Sequence, residues 1–298
     1  MLLRKPLTVS RRWVVCWLAA SVAASVWAGA ARPITAAENA AEPAKICLVG
    51  VGPGDPDLIT LRAVNAIRKA DLIFCMQSLE ARFAEHMQGK EVIHGYWRLF
   101  PYYGQDPATL EGEERRQCEA MASERNEFIG LVRRAVGEGK TVAIVDSGDP
   151  LIYGPWAWCL EEFEDLQPEV VPGLSSFNAA NAALRRGITT SENTKSVILT
   201  AADWMGKADT IDRLSVHKTT MVLFTMRTEF KEFIDKLSIN YPPETPVAVV
   251  KYAGYAGKEE VVQATLGTIL DRVGPDRLPF EYLLYVGDFL THRYKKPK

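Results

Sequence analysis

Three loops rich in glycine and proline contain the residue types that hold small ligands. The first, CLVGVGPGDPDLIT (residues 47–60), places three glycines directly behind an apolar run, so that backbone N–H groups can approach a ligand closely. A dinucleotide-binding turn is the alternative, but it requires a helix that begins at once and faces the pyrophosphate. Two prolines delay the helix to about Thr60, a predicted N-cap. The loop therefore indicates a small-ligand site that differs from a nicotinamide-binding turn.

The second and third loops also follow apolar runs. In VDSGDPLIYG (residues 145–154), Asp149 precedes a proline, which favours an extended backbone and lets the carboxylate project from the end of a strand. Such a carboxylate suits an ammonium group or ribose hydroxyls, although for this loop taken alone an ordinary Gly-Asp-Pro turn that caps the next helix is the favoured explanation. In VVPGLSSFNAA (residues 170–180), Ser175 and Ser176 lie at the mouth of a predicted helix.

The elements that must position these loops alternate between short β-branched strands and amphipathic helices from Ile46 onward, which predicts an α/β fold. The second half offers five candidate strands with one clear helix between the second and the third, which predicts a mixed sheet. We therefore expect an N-terminal α/β lobe over 46–170 and a C-terminal α/β lobe over 171–292. The aromatic and charged stretch 95–122 is interpreted as an irregular insertion or lid.

The N-terminus has the pattern of an export signal. Residues 13–30 carry no charge, follow a basic segment and end in a small-x-small pattern. Arg11 and Arg12 precede the apolar run, which is similar to a twin-arginine signal. We expect a signal peptide over 1–30 and a linker over 31–45, and hence an exported, periplasmic bacterial protein; a membrane anchor through 13–30 and a misassigned start codon are the alternatives.

The remaining composition argues against two classes of site. The chain has a formal net charge of −2, and the first 37 residues hold basic but no acidic side chains, so the rest is mildly acidic and a nucleic-acid partner is not expected. No CxxC or CxxH pair is present and the four histidines are scattered, so no metal site is predicted. The four cysteines beyond the apolar run are expected to be buried thiols, with disulfides as the alternative: Cys47, Cys75, Cys118 and Cys159.

Together and in this order, the motifs GPGD, GDPxxxG and VPGxSS resemble the tetrapyrrole methylase family. The resemblance runs from about Ile46 to Asp288. It implies two α/β lobes with S-adenosylmethionine in the cleft between them, a small-molecule substrate and a homodimer. Carried over by position, it implies these cofactor-binding residues: Pro53, Ser147, Gly148, Asp149, Ile152, Ser175, Ser176 and Gly254.

Two positions depart from the family pattern. Uroporphyrinogen methylases carry an aspartate after the second strand that is proposed to handle a proton, and this chain has Met76 there. The family often has a methionine in the strand TMVLFTM, where this chain has Thr225, with Met226 one step away. No catalytic residue is therefore assigned.

The resemblance leaves three functions open. The first is a methyltransferase acting on a tetrapyrrole, a corrinoid-like or a related substrate. The second is an exported, catalytically silent ligand-binding protein, since S-adenosylmethionine is made in the cytoplasm. The third is a peptide-backbone N-methyltransferase similar to those of borosin biosynthesis, because the stretch YWRLFPYYGQ (residues 96–105) could stack on a macrocycle or hold a peptide; a packed lid explains this stretch equally.

Overall fold

A computed structural model describes residues 45–225, 230–274 and 278–294. Two five-stranded sheets follow one another along this part of the chain, which confirms the two-lobed α/β prediction. The predicted signal peptide, the anchor alternative and most of the linker lie outside the described residues. Within the described ranges, no helix is long and apolar enough to cross a membrane.

The first sheet is wholly parallel, with strand order β3-β2-β4-β1-β5. Helices cover both of its faces, which explains why its central strands read as continuous apolar runs. Its strands are β1 (Ile46–Gly50), β2 (Leu72–Phe74), β3 (Glu91–Ile93), β4 (Val142–Asp146) and β5 (Glu169–Val171). Its helices are α1 (Leu61–Lys69), α2 (Gln77–Arg82), α3 (Ala84–Met87), α4 (Gly112–Gly137) and α5 (Cys159–Glu162).

The helix behind the first loop begins where the sequence predicts. Thr60 is the N-cap of α1, and its Oγ1 accepts a hydrogen bond of 3.1 Å from the backbone N–H of Ala63. Ala63 and Ile67 of this helix pack on the sheet. Because α1 starts this late, the glycine loop after β1 is followed only by a three-residue 3₁₀ helix (Pro56–Leu58) before Thr60.

The second sheet is mixed, as predicted, with strand order β6-β7-β10-β8-β9. Only the pair β6 and β7 is parallel, and the other three pairs are antiparallel. Its strands are β6 (Val197–Ala201), β7 (Thr220–Phe224), β8 (Pro246–Lys251), β9 (Glu260–Thr265) and β10 (Tyr282–Val286). The helices that follow β5 are α6 (Ser176–Leu184), α7 (Ile211–Ser215), α8 (Phe230–Leu237) and α9 (Ile269–Val273).

The prediction that 95–122 is irregular is wrong for its second half. Helix α4 begins at Gly112 and runs for 26 residues. The first turns of α4 are charged and bury few side chains, so the sequence there shows no apolar periodicity that would mark the start of the helix.

The first half of that stretch is packed against the core. Tyr96 contacts Phe128 of α4 with ring centroids 5.5 Å apart, and Tyr103 contacts Trp158 at 5.1 Å. The buried Arg125 of α4 donates hydrogen bonds to backbone carbonyls of this insertion, which holds it in place: Leu99, Pro101 and Tyr102. This packing favours the interpretation as a packed lid over that of a ligand-stacking surface.

All four described cysteines are buried, as expected, and no disulfide joins them within the described chain. Burial is the main cause that raises the pKa of Cys47 to about 11 and that of Cys75 to about 12. Both side chains are therefore neutral and structural.

Candidate functional site

The first two loops meet at the carboxyl edge of the parallel sheet. Beyond the paired strands β1 and β4, the N–H of Val51 donates to the carbonyl oxygen of Asp146 at 3.0 Å. Gly52 and Gly148 then exchange two backbone hydrogen bonds of 3.0 and 3.3 Å. An isolated antiparallel bridge thus follows the two parallel strands, and it brings the GPGD motif against the GDP motif.

The third loop lies against the other two with no room for side chains. A Cβ atom on Gly173 would lie 2.1 Å from the carbonyl oxygen of Gly148, and one on Gly50 would lie 2.6 Å from the backbone nitrogen of Gly173. Real Cβ atoms do not approach backbone so closely, so these positions require glycine. The three loops that the sequence singled out therefore form one continuous surface.

Gly254, three residues beyond the end of β8, brings the second lobe to the same surface. Its carbonyl oxygen accepts a 2.8 Å hydrogen bond from the N–H of Asp55, and the Asp55 carboxylate accepts one of 2.8 Å from the N–H of Ala256. Gly54 (φ +73°) and Gly254 (φ +85°) are in backbone contact, since a Cβ on Gly54 would lie 2.2 Å from Gly254. The two α/β lobes thus form a cleft lined by backbone, with the buried Pro53 between these glycines.

Arg82 is a residue of this junction that sequence reasoning missed. Its Nη1 donates to the carbonyl oxygen of Gly54 at 3.2 Å, and its guanidinium lies 5.0 Å from the ring centroid of Tyr255. The hydroxyl of Tyr255 donates to Glu281 at 3.0 Å. Arg82 lies at the end of an ordinary amphipathic helix, so no local pattern marks it as an inter-lobe contact.

Comparison with known proteins identifies the family. Residues 45–270 match the model of the Tetrapyrrole (Corrin/Porphyrin) Methylases. The chain belongs to the tetrapyrrole methylase family. It is 29% identical to a cobalt-precorrin-4 C(11)-methyltransferase of Methanocaldococcus jannaschii over 84% of this chain and 90% of that protein. It is 28% identical to a precorrin-4 C(11)-methyltransferase of Pseudomonas aeruginosa over 83% and 90% of the two chains.

Solved structures agree with this assignment. The crystal structure of a cobalt precorrin-4 methyltransferase superposes with a TM-score of 0.64 at 28% identity, covering 82% of this chain and 95% of that one. A uroporphyrin-III C-methyltransferase from Thermus thermophilus, at 23% identity and a TM-score of 0.58, shares the fold. As a tetrapyrrole methylase the chain is an S-adenosylmethionine-dependent methyltransferase, and the predictions of family, enzyme class and cofactor are confirmed.

The GDP turn of this methylase contains four of the eight implied cofactor residues. Asp149 accepts a hydrogen bond of 2.9 Å from the N–H of Leu151 at Oδ1, so the turn-forming role considered from sequence is present. Ile152 packs on the core of the second lobe, and Ser147 and Gly148 are half-buried between the loops. The turn is thus anchored to both lobes at the place where a ligand between them would bind.

Ser175 and Ser176 begin helix α6, as the sequence predicts. Ser175 is the N-cap: its Oγ accepts a hydrogen bond of 3.2 Å from Phe177, and its own N–H donates to Oδ1 of Asn178 at 3.1 Å. This capping box fixes the start of the helix beside Gly173. The hydroxyl of Ser175 therefore serves as the helix cap, and Ser176 is the first helical residue and is half-buried.

Asp146 is a second residue that sequence reasoning missed. It ends β4 and is 3% exposed, and its Oδ1 accepts a hydrogen bond of 2.8 Å from the N–H of Ser147. Among the described residues its Oδ2 has no hydrogen-bond partner. Burial raises the pKa of this carboxyl to about 7. A single aspartate after an apolar strand directly before the GDP motif was the available signal.

The departures from the family pattern are also visible. Thr225 is buried, and its Oγ1 donates to the carbonyl oxygen of Tyr282 at 2.9 Å, so it closes the sheet edge; Met226 lies outside the described residues. Met76, just beyond β2, packs against the face of the first sheet that carries α1. In the described ranges no group of acidic, histidine or cysteine side chains could hold a metal ion, so no metal ligand is assigned.

Proposed function

We propose that this tetrapyrrole methylase transfers a methyl group from S-adenosylmethionine to a carbon atom of a corrinoid or porphyrin precursor. The observation that carries the proposal is the convergence of four glycine-bearing segments on one cleft. The similarity to precorrin-4 C(11)-methyltransferases over more than four fifths of the chain supports the substrate class.

The residues of the cleft suit the cofactor. Backbone contacts at Gly50, Gly54, Gly173 and Gly254 let the loop segments pack directly on one another, which holds the residues implied in cofactor binding close together. Ser147, Gly148, Asp149 and Ile152 would hold the methionine part, and Pro53, Ser175, Ser176 and Gly254 the remainder. These assignments come from the family pattern, and they agree with the convergence of the loops.

A bound sulfonium supplies an already activated methyl group, so the chain mainly has to orient the acceptor and exclude water. The GDP turn, anchored to both lobes, positions the donor side. The exposed apolar side chains Leu151, Tyr153 and Leu174 next to the loops offer a surface for a flat acceptor.

Binding of S-adenosylhomocysteine tests the proposal. Isothermal titration calorimetry with protein that lacks residues 1–37 is expected to show one site, and Asp149→Ala to weaken it by at least tenfold. Asp165→Ala is the matched control, because this exposed carboxylate pairs with Arg133 away from the cleft. Absence of heat with folded protein would contradict the cofactor assignment.

Neither alternative function gains support from the comparisons. A silent ligand-binding protein does not require the glycine contacts of the cleft, and the aromatic stretch 96–105 is packed rather than open to a peptide.

We further propose that residues 1–30 direct export and that the mature chain acts as a homodimer that does not bind nucleic acid. Export is supported by the N-terminus, where a basic segment is followed by an uncharged apolar run that ends in small residues. The homodimer is supported by the family resemblance. Intact-mass analysis of protein recovered from a bacterial periplasm is expected to show cleavage after Ala30. Recovery of the full-length chain in the cytoplasm would contradict export, and light scattering tests the dimer.

A further inference from the structure

A buried carboxylate lies directly beneath the cofactor loops and has no role in the binding scheme above. Asp146 ends β4, and its backbone carbonyl accepts a hydrogen bond from the N–H of Val51 in the first loop, while the GDP motif begins two residues later at Gly148. The side chain is 3% exposed and its Oδ2 lacks a hydrogen-bond partner in the described chain. An unpaired carboxylate is costly to bury, so a purely structural residue at this position would be better served by an amide or an apolar side chain.

The packing around Asp146 raises the pKa of its carboxyl toward neutrality. It follows Val142 and Ile144 on the face of the sheet covered by the aromatic core. The titratable neighbour on α5 is Cys159, whose pKa is raised by burial first and then by Glu162 and Asp146, so the thiol is neutral. Burial accounts for the raised pKa of Asp146, and the hydrogen bond from the N–H of Ser147 opposes it.

A single turn covers the carboxylate. A Cβ on Gly154 would lie 2.7 Å from Oδ2 of Asp146, so the backbone of Gly154 forms the cover. The preceding residue, Tyr153, has φ +60°, a conformation that costs a bulky residue energy, and its ring contacts Phe224 of the second lobe at 4.8 Å. This turn therefore contacts both Asp146 and the second lobe.

We propose that Asp146 is the residue that accepts the proton released by the methylated substrate. The inference rests on the proposed function. A neutral acceptor carbon gains the methyl group as the methyl–sulfur bond breaks with its electron pair left on sulfur. The acceptor is then positively charged, and it becomes neutral when one of its C–H or N–H bonds breaks, leaves its electron pair on the acceptor and passes the proton to Oδ2 of ionised Asp146. Movement of the covering turn, which is part of this proposal, lets Oδ2 reach the acceptor and then lets the protonated carboxyl return the proton to water.

The first test needs no acceptor. The infrared carbonyl band of protonated Asp146, identified by its loss in Asp146→Asn, is expected to disappear as the pH rises through about 7, both alone and with S-adenosylhomocysteine bound. A band that persists above about pH 9, or that is absent already at about pH 5, would overturn the proposal, because the group could then not exchange a proton in the working range.

The second test is kinetic and uses uroporphyrinogen III and cobalt-precorrin-4 as acceptors. Asp146→Asn is expected to lower kcat by about 10²- to 10⁴-fold and to remove the rise of kcat with pH near 7. Its affinity for S-adenosylhomocysteine is expected to change by less than about twofold, in contrast to Asp149→Asn. Wild-type kcat and pH profile in Asp146→Asn, or loss of S-adenosylhomocysteine binding in it, would overturn the assignment.

The two proposals fail separately. If the wild type binds no S-adenosylhomocysteine and methylates neither acceptor, the proposed function fails. If the wild type does both and Asp146→Asn does so equally, only the role of Asp146 fails. Should Asp146→Asn not fold, the pH dependence of wild-type kcat still decides, because a kcat that does not rise with pH near 7 would overturn the role of Asp146.

Discussion

At the scale of single residues, the contacts between the loops depend on glycines, because any side chain at these positions would clash with neighbouring backbone. Gly54 and Gly254 lie in backbone contact, each with a positive φ that favours glycine. The sequence indicated their importance only through the motif GPGD and the resemblance of Gly254 to a late family glycine. Asp146 was missed because one aspartate at a strand end has no pattern of its own, and its meaning depends on the turn folded over it.

Gly54→Ala tests this contact. The new Cβ would lie 2.2 Å from Gly254, so we expect a loss of roughly 2–4 kcal/mol in the free energy of unfolding and a marked loss of S-adenosylhomocysteine affinity. Gly89→Ala is the matched control, since Gly89 has a similar φ of +76° but no atoms within 4 Å of the added carbon. Equal effects of the two variants in denaturant unfolding would show that strain alone, and not the contact, matters.

At the scale of elements, periodicity predicted the sheets and failed at the insertion. Strands buried on both faces and the cap at Thr60 have local signals, and both are found where expected. The start of α4 at Gly112 has none, because its first turns are exposed and charged. The packing of the aromatic stretch depends on Arg125, which is 24 to 26 residues away from the Pro101 and Leu99 carbonyls it binds.

Arg125→Ala is expected to loosen the insertion 96–110. Its removal leaves several buried carbonyl oxygens without a donor, which costs about 2–3 kcal/mol of stability. Hydrogen exchange should show faster exchange over 96–110 than in the wild type. Arg134→Ala, an exposed arginine on the same helix, should leave both quantities unchanged, and unaltered exchange in Arg125→Ala would refute the role of this side chain.

At the scale of the whole molecule, the two lobes meet at the proposed cofactor site. Neighbouring strands in each sheet come from segments that are far apart in sequence. Local pattern therefore does not give the strand order, and the cleft between the lobes was predicted from the family resemblance. Contacts between the lobes, such as that of Arg82 with Tyr255, could not be predicted because both residues lie in unremarkable segments. The boundaries 46–170 and 171–292 stay a prediction, as does the route of export.

Arg82→Ala tests the junction between the lobes. Loss of its hydrogen bond to Gly54 and of its stacking on Tyr255 should weaken S-adenosylhomocysteine binding by about three- to thirtyfold, because Gly254 is then held less firmly. Calorimetry measures this, with Arg62→Ala on the exposed face of α1 as the control. Unchanged affinity would show that the backbone bond between Asp55 and Gly254 suffices.

The measurement that tests the central claim most directly is calorimetric titration of the chain without residues 1–37 with S-adenosylhomocysteine. We predict saturable binding at one site per chain, weakened at least tenfold by Asp149→Ala and unchanged by Asp165→Ala. A correctly folded protein that gives no heat, or binding that Asp149→Ala leaves intact, would contradict the assignment of the cleft as the cofactor site.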